Sequence, residues 1–278
     1  MTIPYTLNCR GRLLPLEKPA VMGILNATPD SFFAGSRVQQ EAELLGRAEE
    51  MLLQGATFLD IGGQSTRPGS ERVSEEEELA RVLPAVIAVC RNFPLALVSI
   101  DTFYARVARE AVAAGAVLVN DISAGALDPG MLQAVAELRV PYVLMHMQGD
   151  PKTMQGAPQY TDVVTEVFDA LNRKLSELRH LGIADVIVDP GFGFGKTIAH
   201  NFQLLQRLDF FQELGCPVMV GISRKGTIYK TLGITPEEAL NGSTVLHTLA
   251  LARGANVLRV HDVREAMEAV KLVREVMG

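Results

Sequence analysis

The 278-residue sequence predicts an α/β protein, a single-domain (β/α)8 TIM barrel over 18–278 preceded by a short hairpin at 5–16. Three observations predict it. Short apolar segments alternate with amphipathic helical segments through eight repeats. The apolar segments are nearly continuous, as strands buried on both faces must be. Each one stops at polar or charged residues, which is how a barrel of this kind equips one rim. A doubly wound sheet is the competing architecture. It requires a glycine-rich nucleotide turn after the first strand, and Gly23 stands inside that strand instead.

The elements follow in order. Gly11 supplies the hairpin turn between Leu7 and Leu13-Leu14. Ala20–Leu25 is the first barrel strand, and a helix over 41–54 places Leu44, Leu45, Ala48, Met51 and Leu52 on one face. Thr57–Ile61 is the second strand. Ser74 with Glu77 forms a capping box for a helix reaching Asn92, with Pro84 as a kink point. Leu97–Ile100 and Val117–Asn120 are strands three and four, each followed by a helix, at Tyr104–Ala114 and Gly130–Leu138. Pro141–Met145 is strand five, and a long loop leads from it to a helix over Asp162–Leu181. Asp185–Val188 and Pro217–Val220 are strands six and seven, with a mostly helical His200–Leu214 between them. Thr235-Pro236-Glu237-Glu238 combines an N-cap, an N1 proline and an N3 glutamate, opening a helix in one or two pieces that Gly254 ends. Asn256–Val260 is strand eight. Asp262 with Glu265 caps a last helix to about Val276.

Composition narrows the function. The net charge is −6 with Lys and Arg dispersed, which argues against a nucleic-acid surface. No apolar run approaches the roughly 18 residues of a membrane span, and Met1-Thr2-Ile3-Pro4-Tyr5 lacks a signal-peptide pattern. Cys9, Cys90 and Cys216 are odd in number and far apart, so free thiols are expected. A cytoplasmic enzyme with a local basic pocket is the expectation.

The strand ends carry the chemistry. They read Asn26; Asp60 before Gly62-Gly63-Gln64-Ser65-Thr66-Arg67-Pro68-Gly69; Asp101-Thr102; Asn120-Asp121; His146; Asp189-Pro190-Gly191; Ser223-Arg224-Lys225; and Arg259-Val260-His261-Asp262. Capping the next helix is the plainer role for Asp121 and Asp262, but Arg, Lys and His are poor N-caps. Two chemistries separate. Arg259, His261, Ser223, Arg224 and Lys225 follow strands seven and eight, where barrels bind phosphate, and the helix start at Asp262 adds N–H groups. A diphosphate there implies a shared metal ion, and Asn26 is a neutral oxygen ligand of the kind Mg²⁺ takes beside phosphate and water. Asp101, Asn120 and Asp189 facing Lys225 match the edge of a guanine-like or pterin-like ring, with N–H donors beside a carbonyl. A structural Asp189–Lys225 ion pair remains the alternative. Paired acids also occur in glycoside hydrolases, but the chain holds no tryptophan to stack a sugar. His146 reads as packing, and metal binding is the lesser alternative. Gly195-Lys196-Thr197 resembles the end of a P-loop, but Pro190 occupies the position of its first glycine. Gly191, Gly193 and Gly195 instead let a loop pass close to a ligand, with Phe192 and Phe194 as walls.

These segments, in this order, resemble dihydropteroate synthases over essentially the whole chain. The matching stretches include Met22-Gly23-Ile24-Leu25-Asn26, Asp60-Ile61-Gly62-Gly63, Ser65-Thr66-Arg67-Pro68-Gly69, Asp189 through Lys196, Ser223-Arg224-Lys225 and Arg259-Val260-His261-Asp262. Pterin-binding methyltransferases are similar in their pterin acids but are not expected to share the Ser-Thr-Arg-Pro-Gly and Ser-Arg-Lys segments. The resemblance implies condensation of 7,8-dihydropterin-6-ylmethyl diphosphate with 4-aminobenzoate, giving 7,8-dihydropteroate and diphosphate, with Mg²⁺ as cofactor and a homodimer as the assembly. It implies a pterin pocket of Asp101, Asn120, Asp189, Lys225 and Arg259. Diphosphate contacts would be Asn26, also the metal ligand, with Thr66, Arg67, Arg259 and His261. The aminobenzoate side would be Thr66, Pro68, Phe194 and Ser223. The implied catalytic set is Asn26, Thr66, Arg67, Lys225, Arg259 and His261. Two positions depart from the pattern. Gln64 stands where the family reads Glu, and Ala34 where it reads an Asp that helps close the first loop, leaving Asp30 as the candidate replacement. A methyltransferase-type barrel and a non-catalytic pterin-binding paralogue are the competing functions.

Overall fold

The computed structural model describes residues 5–27, 37–64, 72–149 and 158–277. Residues 28–36, including Asp30 and Ala34, and Ser65, Thr66, Arg67 and Pro68 lie outside them. The chain opens with an antiparallel hairpin, β1 (Thr6–Cys9) and β2 (Arg12–Pro15), whose turn places Arg10 and Gly11 at positive φ. Glycine adopts that geometry without the Cβ penalty.

Eight parallel strands follow: β3 (Ala20–Asn26), β4 (Phe58–Gly62), β5 (Leu97–Asp101), β6 (Leu118–Asp121), β7 (Tyr142–Met145), β8 (Val186–Asp189), β9 (Met219–Val220) and β10 (Val257–Val260). They pair in the order β8-β7-β6-β5-β4-β3-β10-β9, and a bridge between Val188 and Val218 joins β8 to the segment leading into β9. This is the expected barrel. Around it lie α1 (Arg37–Gln54), α2 (Glu75–Asn92), α3 (Ala105–Ala113), α4 (Met131–Leu138), α5 (Val163–His180), α6 (Ile198–Gln206), α7 (Gly226–Leu232), α8 (Leu240–Ala252) and α9 (Val263–Met277). A 3-10 helix at Leu208–Leu214 extends α6.

Strand alternation sorts the side chains into two cores. Leu25, Ile61, Ile100, Val119, Leu144, Val188, Val220 and Leu258 point outward into the main core beneath the helices. Gly23 belongs to the same outward set. A Cβ there would stand 2.8 Å from Met51 Sδ and 3.0 Å from Val263 Cγ2, so its absence lets α1 and α9 close on β3. Met22, Phe58, Leu97, Leu118, Val143, Ile187, Met219 and Val257 point inward and form the barrel floor, which Leu7, Cys9 and Leu16 plug from below. The hairpin is therefore the barrel's bottom cap. With the lower interior apolar, polar inward positions are left for the upper, C-terminal end of the strands.

Several boundaries differ from expectation, each for a local reason. Ser74 accepts the Glu77 N–H as expected, but the Glu77 carboxylate pairs with Arg81 and leaves the capping box half made. Helix α6 begins two residues early because Thr197 caps it reciprocally with His200. The helix expected at Thr235 starts at Leu240. Glu238 bonds back to the Thr235 N–H at 2.9 Å, closing a turn, and Arg224 occupies the Pro236 and Glu237 carbonyls. The short α7, uncapped by any side chain, had no signal in the sequence. Strand seven shrinks to Met219–Val220. Asp121 bonds Ser123, Gly125 and the Tyr142 hydroxyl, organising a turn. The described cysteines are all free. Among the described residues, no helix is long and apolar enough to cross a membrane.

Candidate active site

The site is built from inward-facing residues at the top of the barrel. Strand register sets Asn26 beside Gly62, Gly62 beside Asp101, and Asp101 beside Asn120. Across the barrel, Met145 pairs with Asp189. The predicted pterin residues thus share one rim because four different strands end there with the same parity.

Arg259 is the centre of this rim. Its Nε donates to Asp60 Oδ2 at 2.6 Å, and its Nη2 donates to Asp101 Oδ2 at 2.6 Å. Asn120 Nδ2 donates to the same Asp60 oxygen at 2.9 Å. Asp60 is fully buried, and its Oδ1 has no partner among the described residues. Burial pushes the Asp101 carboxyl up to about 7; Asp60 adds to the shift while Arg259 opposes it. Burial also works against the Arg259 cation, but Asp60 and Asp101 outweigh it and raise its pKa. In the resemblance Asp60 had no assigned role. Its inward parity two residues below Gly62 was the signal that could have found it.

The opposite wall holds Asp189 and Lys225. Asp189 Oδ1 accepts the Gly191 N–H at 2.7 Å, and Lys225 Nζ donates to the Phe192 carbonyl at 2.6 Å. The Phe194 ring lies 4.6 Å from the same Nζ and packs with Phe103, Ile122 and Met145. Burial raises the Asp189 pKa against the pull of Lys225. Burial likewise lowers Lys225 to about 8, with Asp189 resisting. The simple Asp189–Lys225 ion pair is not formed; Lys225 donates to the Phe192 carbonyl instead. A Cβ on Gly221 would lie 3.8 Å from both Asp189 Oδ2 and Lys225 Nζ and 4.0 Å from Arg259 Cβ, so the three groups surround this position at van der Waals distance.

At the edge of the rim, the Ser223 hydroxyl lies 3.1 Å from His261 Nδ1 and accepts the His261 backbone N–H at 3.2 Å. Desolvation by its surroundings, together with Arg259, lowers the His261 pKa, although the residue is exposed. Arg224, expected among the phosphate contacts, turns away. It binds Asp262 through two 2.8 Å bonds and holds the turn before α8, with its own backbone at positive φ. Asp262 accordingly spends both carboxylate oxygens on Arg224 rather than on the start of α9.

Among the described residues, no three His, Cys, Asp or Glu side chains gather as a metal site. Asn26 is half-buried at the end of β3, beside Gly62. One neutral oxygen cannot hold a divalent ion alone, but it suits Mg²⁺ that arrives on a phosphate and keeps its waters. The donor set therefore fits the ion implied by the resemblance.

An eight-stranded parallel barrel whose upper rim offers carboxylates, an amide and a lysine to a flat heterocycle defines a pterin-binding class of barrel enzyme. The pterin-binding enzyme family model matches residues 22–261. The chain is 44% identical to dihydropteroate synthase of Escherichia coli K12 over 274 residues, covering 98% of this chain and 96% of the relative. A Xanthomonas albilineans dihydropteroate synthase structure with 4-aminobenzoic acid superposes with a TM-score of 0.92 at 44% identity, covering 99% of each chain. A second, in complex with 7,8-dihydropteroate, gives 0.89 at 42% identity and the same coverage. The chain belongs to the dihydropteroate synthase family of pterin-binding enzymes.

Behind the rim, Glu78 of α2 is fully buried, and neither carboxylate oxygen has a hydrogen-bond partner among the described residues. Burial, aided by Asp101, pushes it up to about 7, although the nearby Thr102 hydroxyl, Arg72 and Arg81 favour the anion. A folded-state pKa above the ordinary carboxylate value means that the folded protein holds the extra proton between the two. Stability therefore falls as pH rises through that window, by an amount on the order of 3 kcal/mol once Glu78 is ionised. Glu78→Gln is expected to raise the melting temperature relative to the parent at pH 8, with the gap closing by pH 5. A gap independent of pH would show that Glu78 does not titrate as described. Arg259→Met removes the cation from two buried carboxylates. It is expected to cost about 3–5 kcal/mol by urea unfolding at pH 8, and a loss below about 1 kcal/mol would mean that the bridge contributes no more than a surface pair.

Proposed function

We propose that this chain joins 4-aminobenzoate to 7,8-dihydropterin-6-ylmethyl diphosphate, releasing diphosphate and 7,8-dihydropteroate. The observation that carries this is the gathering of Asp101, Asn120 and Asp189 at the C-terminal ends of their strands, with Lys225 beside Asp189 at Gly221, in a chain that matches dihydropteroate synthases over nearly its full length. In the reaction the arylamine nitrogen forms a bond to the pterin methylene, the methylene C–O bond breaks, diphosphate leaves with the electron pair and the amine loses a proton.

An arylamine is a weak nucleophile, so departure of diphosphate runs ahead of bond formation. The positive charge that develops on the methylene spreads into the dihydropterin, where Asp101 and Asp189 stabilise it. Lys225 donates to the pterin carbonyl edge. Arg259 faces the pterin and the diphosphate, and His261 offers a ring N–H to a diphosphate oxygen. Thr66 and Arg67 complete the diphosphate side, as the resemblance implies. Asn26 would hold Mg²⁺, and the ion supplies positive charge to the leaving oxygens. Ser223, Phe194, Thr66 and Pro68 receive 4-aminobenzoate. Two copies pair, as the resemblance implies, and the enzyme works in the cytoplasm, in keeping with its free thiols. A single-chain mass by light scattering would overturn the pairing.

The test is diphosphate release by the purified chain with both substrates and Mg²⁺. Release that requires 4-aminobenzoate supports the reading. Pterin binding without turnover overturns it in favour of a non-catalytic pterin binder. Lys225→Ala is expected to weaken pterin binding by about 1.5–3 kcal/mol, the scale of a hydrogen bond to a charged group, and unchanged binding would remove Lys225 from the pocket. Deuterium at the reacting methylene is expected to give a normal secondary isotope effect; an inverse or negligible one indicates direct displacement.

A further inference from the structure

Lys196 has no part in the functions assigned above. The Gly195-Lys196-Thr197 stretch resembles a phosphate loop in sequence, yet Thr197 caps α6 and Lys196 is only 2% exposed. Its ammonium lies beneath the loop from β8 to α6. There it donates to the Phe194 carbonyl at 3.0 Å and the His146 carbonyl at 3.3 Å, and it faces His146 Nδ1 at 3.1 Å. Burial lowers Lys196 to about 7 while Asp189 opposes the shift, and its three contacts are all within the protein. Burial, with Lys196 acting in the same direction, pushes His146 down to about 3.

The loop that Lys196 ties down is pressed against the end of β7. Gly191 and Gly195 both have positive φ, and a Cβ on either would collide with a carbonyl oxygen, that of His146 or of Gln148. Its other face meets the pterin pocket. Gly191 N–H bonds the Asp189 carboxylate, the Phe192 carbonyl takes the Lys225 ammonium, and the Phe194 ring lies against that ammonium. The loop is therefore a thin wedge between the β7 end and two pocket residues on different elements, Asp189 at the end of β8 and Lys225 at the start of α7.

Building on the proposed pterin chemistry, we propose that Lys196 is a positioning residue for the pterin half of the site. By tying the Phe194 carbonyl to the His146 backbone, it sets the loop that orients Asp189 and Lys225. On the aminobenzoate side Ser223 is held separately by His261, while Phe194 rides on the tied loop.

The test uses the full chain, Lys196→Met and Lys196→Gln. Binding of a pterin lacking the diphosphate is measured by calorimetry, and KM is measured for each substrate. Lys196→Met is expected to weaken pterin binding about tenfold or more, with a several-fold smaller rise in the KM for 4-aminobenzoate that reaches it through Phe194, and Lys196→Gln, which retains an N–H donor, recovers part of the loss. Variants that bind pterin within about twofold of the parent overturn the proposal. So does an equal loss for both substrates, or failure of both variants to fold, since either makes Lys196 a residue of general stability. A parent that binds no pterin overturns the function reading instead, so the two failures are distinct.

Discussion

Arg259 bridging Asp60 and Asp101 is the interaction on which the rest of the site depends. Three charged groups sit inside the barrel, contributed by β10, β4 and β5, and none tolerates that position alone. The bridge joins strands far apart in the chain at the layer where the apolar floor gives way to the polar rim. It also leaves the cavity side of Asp101 available. A carboxylate already compensated by a cation can accept N–H donors from a heterocycle without paying its full desolvation again.

The second wall solves the same problem differently. Asp189 and Lys225 are not clamped to each other. Each is held by backbone, Asp189 by the Gly191 N–H and Lys225 by the Phe192 carbonyl. Their charges stay directed into the space beside Gly221. This arrangement transfers the burden of positioning to the loop, and through the loop to Lys196. Arg224 performs the corresponding service for the next loop, gathering Asp262, Pro236, Glu237 and Ser243 so that Ser223 and Lys225 on either side of it face the site.

Much of this was legible before folding was considered. The barrel followed from eight apolar segments ending in polar residues, and Asp101, Asn120, Asp189, Lys225 and Arg259 were identified individually. What the sequence could not show was allocation. Arg224 and Arg259 are both arginines at strand ends, yet one is a strut and the other the centre of the rim. Asp262 and Thr235 both carry capping signatures, and both were overridden, Asp262 by a bidentate arginine and Thr235 by a turn closed on Glu238. Glu78 gave no sign of its burial, because an acid in the run Glu75–Glu78 reads as exposed, whereas Asp60 stood at an inward position of the apolar strand β4.

The sequence by itself determined the architecture and the kinds of group at the rim, because periodicity and strand-end chemistry are local properties. Only the tertiary structure decided which charge meets which. That choice is made by strand register, by which inward positions share a layer, and by glycines such as Gly191 and Gly221 that let backbone approach side chain. Partners such as Arg259 and Asp60, 199 residues apart in the chain, are brought together by barrel closure, and no local signal encodes that distance.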